Sequence, residues 1–116
     1  MSDVTIYHNP RCSKSRTTLT LLEEHGIHPV VVQYLETPLS AAQINTLLGK
    51  LGMTATRLVR SGEAAYKDSG LGKDSTEQQV VAAMVKYPKL IERPIVVRGD
   101  RAVLGRPPEN VLGLIA

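Results

Sequence analysis

The chain has 116 residues, and it contains no tryptophan, no phenylalanine and a single cysteine, Cys12. Without the two largest aromatic side chains, the hydrophobic core must be built from leucine, valine, isoleucine, alanine and methionine. One cysteine cannot form an internal disulfide, and it is no metal-binding framework. No apolar run approaches the roughly 20 residues that a membrane-spanning helix requires. The N-terminus also lacks the pattern of a signal peptide, so we predict a cytoplasmic protein with no membrane partner.

The length and the charge of the chain further limit the class of protein that it can be. A length of 116 residues predicts one domain spanning 1–116. The formal net charge is +3, but the lysines and arginines are scattered, without the aromatic interleaving of a single-strand binder. We therefore expect no nucleic-acid partner. Two interpretations of the positive net charge remain: a solvated basic surface, or a binding site for a small anion where several arginines converge.

The first half of the chain predicts a βαβ unit followed by a helix. Alternating residues at 4–7 predict a strand, and a helix is predicted from Ser13 to about Glu24. The apolar run 30–35 predicts a second strand, of the kind that a sheet buries on both faces. Ser40 and Gln43 have the spacing of a capping box, and an amphipathic helix follows them.

The second half of the chain predicts more helices and then a hairpin. A short helical piece is predicted at 63–68, and a capping box at Asp74–Glu77 or Ser75–Gln78 begins the next helix. Strands at 94–98 and 102–104 are joined through Gly99, and prolines at 107–108 open a last short helix. This order predicts an α/β protein of the thioredoxin-like fold: a four-stranded mixed sheet with a helical insertion between the βαβ unit and the C-terminal ββα unit.

Cys12 has the setting of a reactive thiol. A lone cysteine is more often inert packing, but Cys12 follows a turn and precedes a helix. The unpaired N–H groups and the dipole at a helix N-terminus favour an anion, and they lower the pKa of a thiol placed there. Ser15 can donate a hydrogen bond to the sulfur, and Lys14 adds positive potential. His8 either assists as an imidazolium or only finishes the strand.

Other cysteine signatures do not match. Small tyrosine phosphatases require an arginine six residues after the cysteine, where this chain has Thr18. Without a second cysteine, a dithiol cycle within the chain is excluded. Cys12-Ser13-Lys14-Ser15 is therefore typical of monothiol chemistry that needs an outside thiol.

Three arginines from separate segments, Arg60, Arg93 and Arg106, border structure that can meet the cysteine loop. Guanidinium groups offer planar, bidentate donors that suit a tetrahedral oxyanion. Taken singly, each arginine is more often a surface charge. The prediction of a site depends on the three converging near one thiol.

The chain resembles the ArsC family of glutaredoxin-dependent arsenate reductases along nearly its whole length. The matching stretches are "IYHNPRCSKSRTTL", "LVRSGEAAYKD", "LIERPIVV" and "LGRPPENV". The resemblance implies a thioredoxin-like fold and the reduction of arsenate to arsenite, with Cys12 as the catalytic nucleophile. It implies oxyanion binding by Arg60, Arg93 and Arg106, and tuning of the thiol by His8 and Ser15.

The resemblance also implies glutathione as co-substrate and a glutaredoxin as partner, with no bound cofactor and no metal. We expect a monomer. Two alternatives remain within the same fold. One is a regulatory, Spx-like module that binds protein partners; Ser15 argues against it, because that branch typically carries C-x-x-C. The other is a different thiol-exchange enzyme.

Overall fold

The computed structural model describes residues 3–115, and the chain divides into two compact units. The first unit joins Met1–Thr37 with Arg93–Ala116, and the second is Pro38–Glu92. The first unit holds the sheet, and the second is the predicted helical insertion. A single domain over 1–116 stays a prediction.

The sheet of the first unit has four strands in the order β2-β1-β3-β4. They are β1 (Val4–Tyr7), β2 (Val30–Val32), β3 (Ile95–Arg98) and β4 (Arg101–Leu104). β1 pairs in parallel with β2 and antiparallel with β3, which pairs antiparallel with β4. Gly99 adopts a positive φ of 61° in the turn between β3 and β4, which a glycine tolerates without steric cost. The mixed four-stranded sheet predicted from the sequence is confirmed.

The core of the first unit lies between the sheet and its helices. α1 (Ser13–Glu24) connects β1 to β2, and a 3₁₀ turn (Pro108–Val111) leads into α6 (Leu112–Ile115) at the C-terminal end. The central strands contribute buried side chains, and so do both helical segments: Val4, Ile6, Leu22, Val96, Val111 and Leu114. These aliphatic side chains fill the space that larger aromatic side chains occupy in other hydrophobic cores, because the chain contains no tryptophan or phenylalanine.

The second unit contains α2 (Ala41–Leu51), α3 (Ala55–Leu58), α4 (Ala64–Asp68), α5 (Glu77–Lys86) and a 3₁₀ turn (Pro88–Leu90). Both α2 and α3 contact α5. The predicted capping box at Ser40 is confirmed: the Ser40 hydroxyl accepts from the Gln43 N–H, and the Gln43 side chain accepts from the Ser40 N–H. Among the described residues, no helix is both long enough and apolar enough to cross a bilayer.

Three local predictions were wrong: the extent of the second strand, its burial on both faces, and the position of the second capping box. The second strand ends at Val32 rather than Leu35, because Gln33 O accepts from two following N–H groups and closes a turn. It is also an edge strand, and Val30 is 50% exposed, so it is not covered on both faces. The second capping box joins Thr76 to Gln79, while the neighbouring Ser75 hydroxyl accepts from the Gly72 N–H instead.

α3 was not predicted from the sequence, and a distant residue caps it. Its N-cap residue, Thr54, makes no side-chain capping hydrogen bond with the described residues. Instead, the Glu77 carboxylate accepts from the Ala55 and Thr56 N–H groups at 2.7 and 3.2 Å. This cap comes from the first turn of α5, which periodicity within α3 cannot reveal.

Candidate active site

The loop between β1 and α1 presents Cys12 at the start of the helix. The ladder extends one residue past β1, because the His8 N–H donates to Val32 O at 2.8 Å. Asn9 then closes the turn: its carbonyl accepts from the Cys12 N–H, and its side-chain oxygen accepts from the Arg11 N–H, both at 3.0 Å. Cys12 is thereby the N-cap residue of α1, which confirms its predicted place at a helix N-terminus.

The thiol of Cys12 is half-buried, and its surroundings favour the ionised form. Burial raises the pKa of this thiol, since a charge loses solvation inside the protein. The Ser15 N–H, the hydrogen bond and charge of the Arg93 guanidinium, and the Lys14 N–H act in the opposite direction and outweigh burial. The net result is a Cys12 pKa below its ordinary value.

The two backbone donors matter mainly for the thiolate. A neutral thiol is a weak acceptor, and the Cys12 side chain makes no capping hydrogen bond to the described residues. Hydrogen bonds to an ionised acceptor are shorter and stronger. The N-terminal N–H groups of α1 therefore stabilise the sulfur most once it carries charge.

His8 and Ser15 form a buried pair beside the thiol loop. His8 Nδ1 lies 2.6 Å from Ser15 Oγ, and the same oxygen accepts from the Asn9 N–H at 3.1 Å. All three residues are buried. The Ser15 hydroxyl is thus engaged with His8 and Asn9, whereas the Ser15 backbone N–H stabilises the sulfur of Cys12.

The imidazole of His8 favours the neutral form. Burial lowers its pKa below 6.5, and the positive charge of Arg16 lowers it further. A neutral imidazole can exchange one hydrogen bond with the Ser15 hydroxyl, with the donor set by its tautomer. The sequence left open whether His8 assists as an imidazolium or only finishes the strand. Burial and the nearby charge of Arg16 disfavour the imidazolium at neutral pH.

Two of the three predicted arginines lie in the same unit as Cys12. The Arg93 guanidinium acts on the sulfur and lowers the pKa of Cys12, and Arg106 Nη1 donates to the Arg93 carbonyl at 3.2 Å. Both arginines are half-buried, and both precede cis prolines, Pro94 and Pro107. The first unit therefore brings a thiol and two guanidinium-bearing residues together from distant positions in the chain.

Arg60 belongs to the second unit, where acidic neighbours hold its guanidinium. Its backbone N–H donates to Leu90 O at 2.7 Å. Its Nε lies 3.8 Å from Glu63 Oε1, and its Nη1 lies 3.8 Å from Glu92 Oε1. Sequence reasoning missed both acidic partners. The i,i+3 spacing of Arg60 and Glu63 was the available signal, whereas Glu92 is brought near only by the fold.

The ArsC family model matches residues 7–114, which include Cys12 and all three arginines. The chain belongs to the ArsC family. An arsenate reductase of Haemophilus influenzae is 43% identical to this ArsC protein over 114 residues, covering 97% of the chain and 98% of the relative. YfgD of Escherichia coli K12, named as uncharacterised, is 54% identical over 97% of the chain and 96% of its own length.

A solved structure extends the likeness to the fold. An arsenate reductase from Vibrio cholerae is 48% identical to this ArsC protein, with a TM-score of 0.91 over 95% of each chain. At that similarity the backbone path is shared nearly throughout. The thioredoxin-like α/β fold predicted from the sequence is confirmed.

Proposed function

We propose that this protein reduces arsenate to arsenite, with the Cys12 thiolate as nucleophile, glutathione as co-substrate and a glutaredoxin as partner. The observation that carries the proposal is the place of Cys12 at the N-cap of α1, where the Ser15 N–H and the Arg93 guanidinium lower the pKa of its thiol. The names of the family relatives support arsenate as the substrate. The thiolate is the reactive form of cysteine, so this setting suits attack on an electrophilic oxyanion.

Arginine supplies the binding chemistry in this proposal. Arsenate is a tetrahedral anion at neutral pH, and Arg93 and Arg106 offer planar donors of matching geometry. Arg60 is proposed as the third arginine of the set. Positive charge serves both the substrate and the thiolate, and preorganised charges of this kind stabilise the transition state without reorganising during the reaction.

The proposed reaction forms two sulfur–arsenic bonds in turn and then breaks both. The Cys12 thiolate forms a bond to arsenic, and an arsenate oxygen leaves as water after taking up protons. Glutathione then forms a second sulfur–arsenic bond and displaces another oxygen as water. The glutaredoxin thiolate attacks the glutathione sulfur, the glutathione–arsenic bond breaks, and its electron pair reduces arsenic from V to III. Hydrolysis of the Cys12–arsenic bond releases arsenite, leaving the mixed disulfide of glutaredoxin and glutathione.

The supporting roles remain proposals. His8 and Ser15 are proposed to tune the thiol: Ser15 through its backbone N–H, and His8 by holding the Ser15 side chain. The electrons come from thiols, so the proposed reaction needs no bound cofactor and no metal. A monomer in the cytoplasm, where thiols are kept reduced, is the expected setting.

A coupled assay with arsenate, glutathione and glutaredoxin tests the proposal. Cys12→Ser should reduce turnover to background, because a serine hydroxyl is far less nucleophilic at neutral pH. Arg93→Lys should raise the KM for arsenate and lower kcat, since a point charge cannot replace the guanidinium fork. Ser13→Ala, an exposed neighbour of Cys12, is the matched control and should stay active.

Full turnover by Cys12→Ser would end the nucleophile assignment. Unchanged kinetics in Arg93→Lys would remove that arginine from the substrate site. If arsenate neither turns over nor protects Cys12 from alkylation, a different thiol-exchange reaction is favoured.

A further inference from the structure

Gly105 lies where α1 meets the segment that leads into β3. It follows the last residue of β4 and is buried. Its N–H donates to Pro94 O at 2.9 Å. Its carbonyl accepts from Thr18 Oγ1 at 3.3 Å, and the same hydroxyl donates to Lys14 O at 2.8 Å. One glycine is therefore hydrogen-bonded both to the cysteine helix and to the residue after Arg93.

A side chain has no room at this position. A Cβ on Gly105 would lie 2.6 Å from Thr18 Oγ1, 2.9 Å from Thr18 Cγ2 and 2.8 Å from Pro94 Cγ. At each of the other eight described glycines, an added Cβ would meet nothing within 4 Å. Gly105 is not among the glycines with positive φ, so its backbone would accept alanine. The requirement for glycine is therefore one of space alone.

The neighbours of this contact are residues of the candidate site. Gly105 directly precedes Arg106, Pro94 directly follows Arg93, and Thr18 lies six residues after Cys12 on α1. Arg106 in turn donates to the Arg93 carbonyl. The Thr18 hydroxyl is tied to Lys14 O and Gly105 O, and the Pro94 ring also crowds the added Cβ, so rotation of the Thr18 side chain alone does not relieve the contact. Further relief moves α1, Pro94 or the strand end, and each of these contains or adjoins a site residue.

We propose that Gly105 is a positioning residue: its missing side chain lets Thr18 and Pro94 close together, and this close approach sets Arg93 and Arg106 relative to Cys12. The consequence for catalysis rests on the proposed function. The consequence for the thiol does not, because the Arg93 guanidinium stabilises the sulfur whether or not arsenate is the substrate.

Gly105→Ala tests the inference through the pKa of Cys12, measured from the pH dependence of its alkylation rate. The added methyl should displace Arg93 from the sulfur, so the pKa should rise toward that of an ordinary thiol. Gly49→Ala is the matched control, because a Cβ there meets nothing within 4 Å and Gly49 lies in α2. It should leave the alkylation profile unchanged.

A double variant separates positioning from general damage. Thr18→Ala removes two of the three crowding atoms, so Gly105→Ala combined with Thr18→Ala should return the Cys12 pKa toward the value of Thr18→Ala alone. If Gly105→Ala does not fold, the double variant decides, since it should fold and show that value.

An unchanged Cys12 pKa in folded Gly105→Ala would overturn the inference. So would a double variant that fails to fold, or one that shows no relief. These readouts need no arsenate. Loss of the proposed function, seen as wild-type protein without arsenate turnover, is therefore distinguishable from loss of this inference.

Discussion

Replacing Ser15 with alanine should separate the two roles that this residue plays. Its hydroxyl is buried and is hydrogen-bonded to His8 Nδ1 at 2.6 Å and to the Asn9 N–H at 3.1 Å. Its backbone N–H is instead one of the groups that lower the pKa of Cys12. Alanine removes the first set of contacts and keeps the second. Stability and thiol ionisation should therefore respond differently.

The cost in stability follows from the groups left behind. His8 and Asn9 are each only 6% exposed, so water cannot readily replace the lost hydroxyl. Leaving one buried polar group without its partner costs about 1–3 kcal/mol, so losing the partner of two should lower the free energy of unfolding by about 2–6 kcal/mol. The pKa of Cys12 should stay below its ordinary value, because Arg93 and both backbone donors remain.

Urea denaturation measures the first quantity, and the pH dependence of Cys12 alkylation measures the second. Ser13→Ala is the matched control: it is a helical serine two residues earlier, but exposed, and its effect on stability should lie within about 0.5 kcal/mol. A stability loss in Ser15→Ala no larger than in this control would refute the buried-pair argument. A Cys12 pKa that rises to the ordinary thiol value would show that the hydroxyl acts on the sulfur.

Two further predictions concern pH. The folded-state pKa of His8 lies below 6.5, so the unfolded chain binds more protons at this residue, and the free energy of unfolding should fall as pH drops below 6.5. His8→Gln should flatten this part of the profile of stability against pH. An unchanged slope would contradict the assignment to His8. The Ala55 and Thr56 N–H groups lower the pKa of Glu77 below 4.5, against a partial offset by burial. Its stabilisation is thus present above about pH 4.5 and lost as pH falls through the folded-state pKa. Glu77→Gln should lower the unfolding free energy at neutral pH by about 0.5–2 kcal/mol and by less in acid, measured by urea denaturation; an equal loss at both pH values would argue against a charged cap.

Local sequence determined the features that depend on near neighbours. Only a few residues separate the turn at Asn9 from the start of α1, with Cys12 between them. The local sequence pattern was therefore sufficient to predict all three features. The same holds for the Ser40 capping box and the Gly99 hairpin. Hydrogen bonds over three or four residues leave a sequence signature because spacing alone brings the partners together.

Only the tertiary structure determined the features that depend on residues distant along the chain. The exposure of β2 follows from its position at the sheet edge, and the run of valines does not encode that position. The carboxylates beside Arg60 include one from 32 positions further along, Glu92. Gly105 contacts Thr18, which is 87 positions away along the chain, and the sequence around neither residue predicts the contact. Composition and spacing locate the thiol and the N–H groups at the start of α1, but only packing brings the Arg93 guanidinium to the sulfur from 81 positions away. Coulomb and hydrogen-bond energies depend on distances in space and not on separation along the chain.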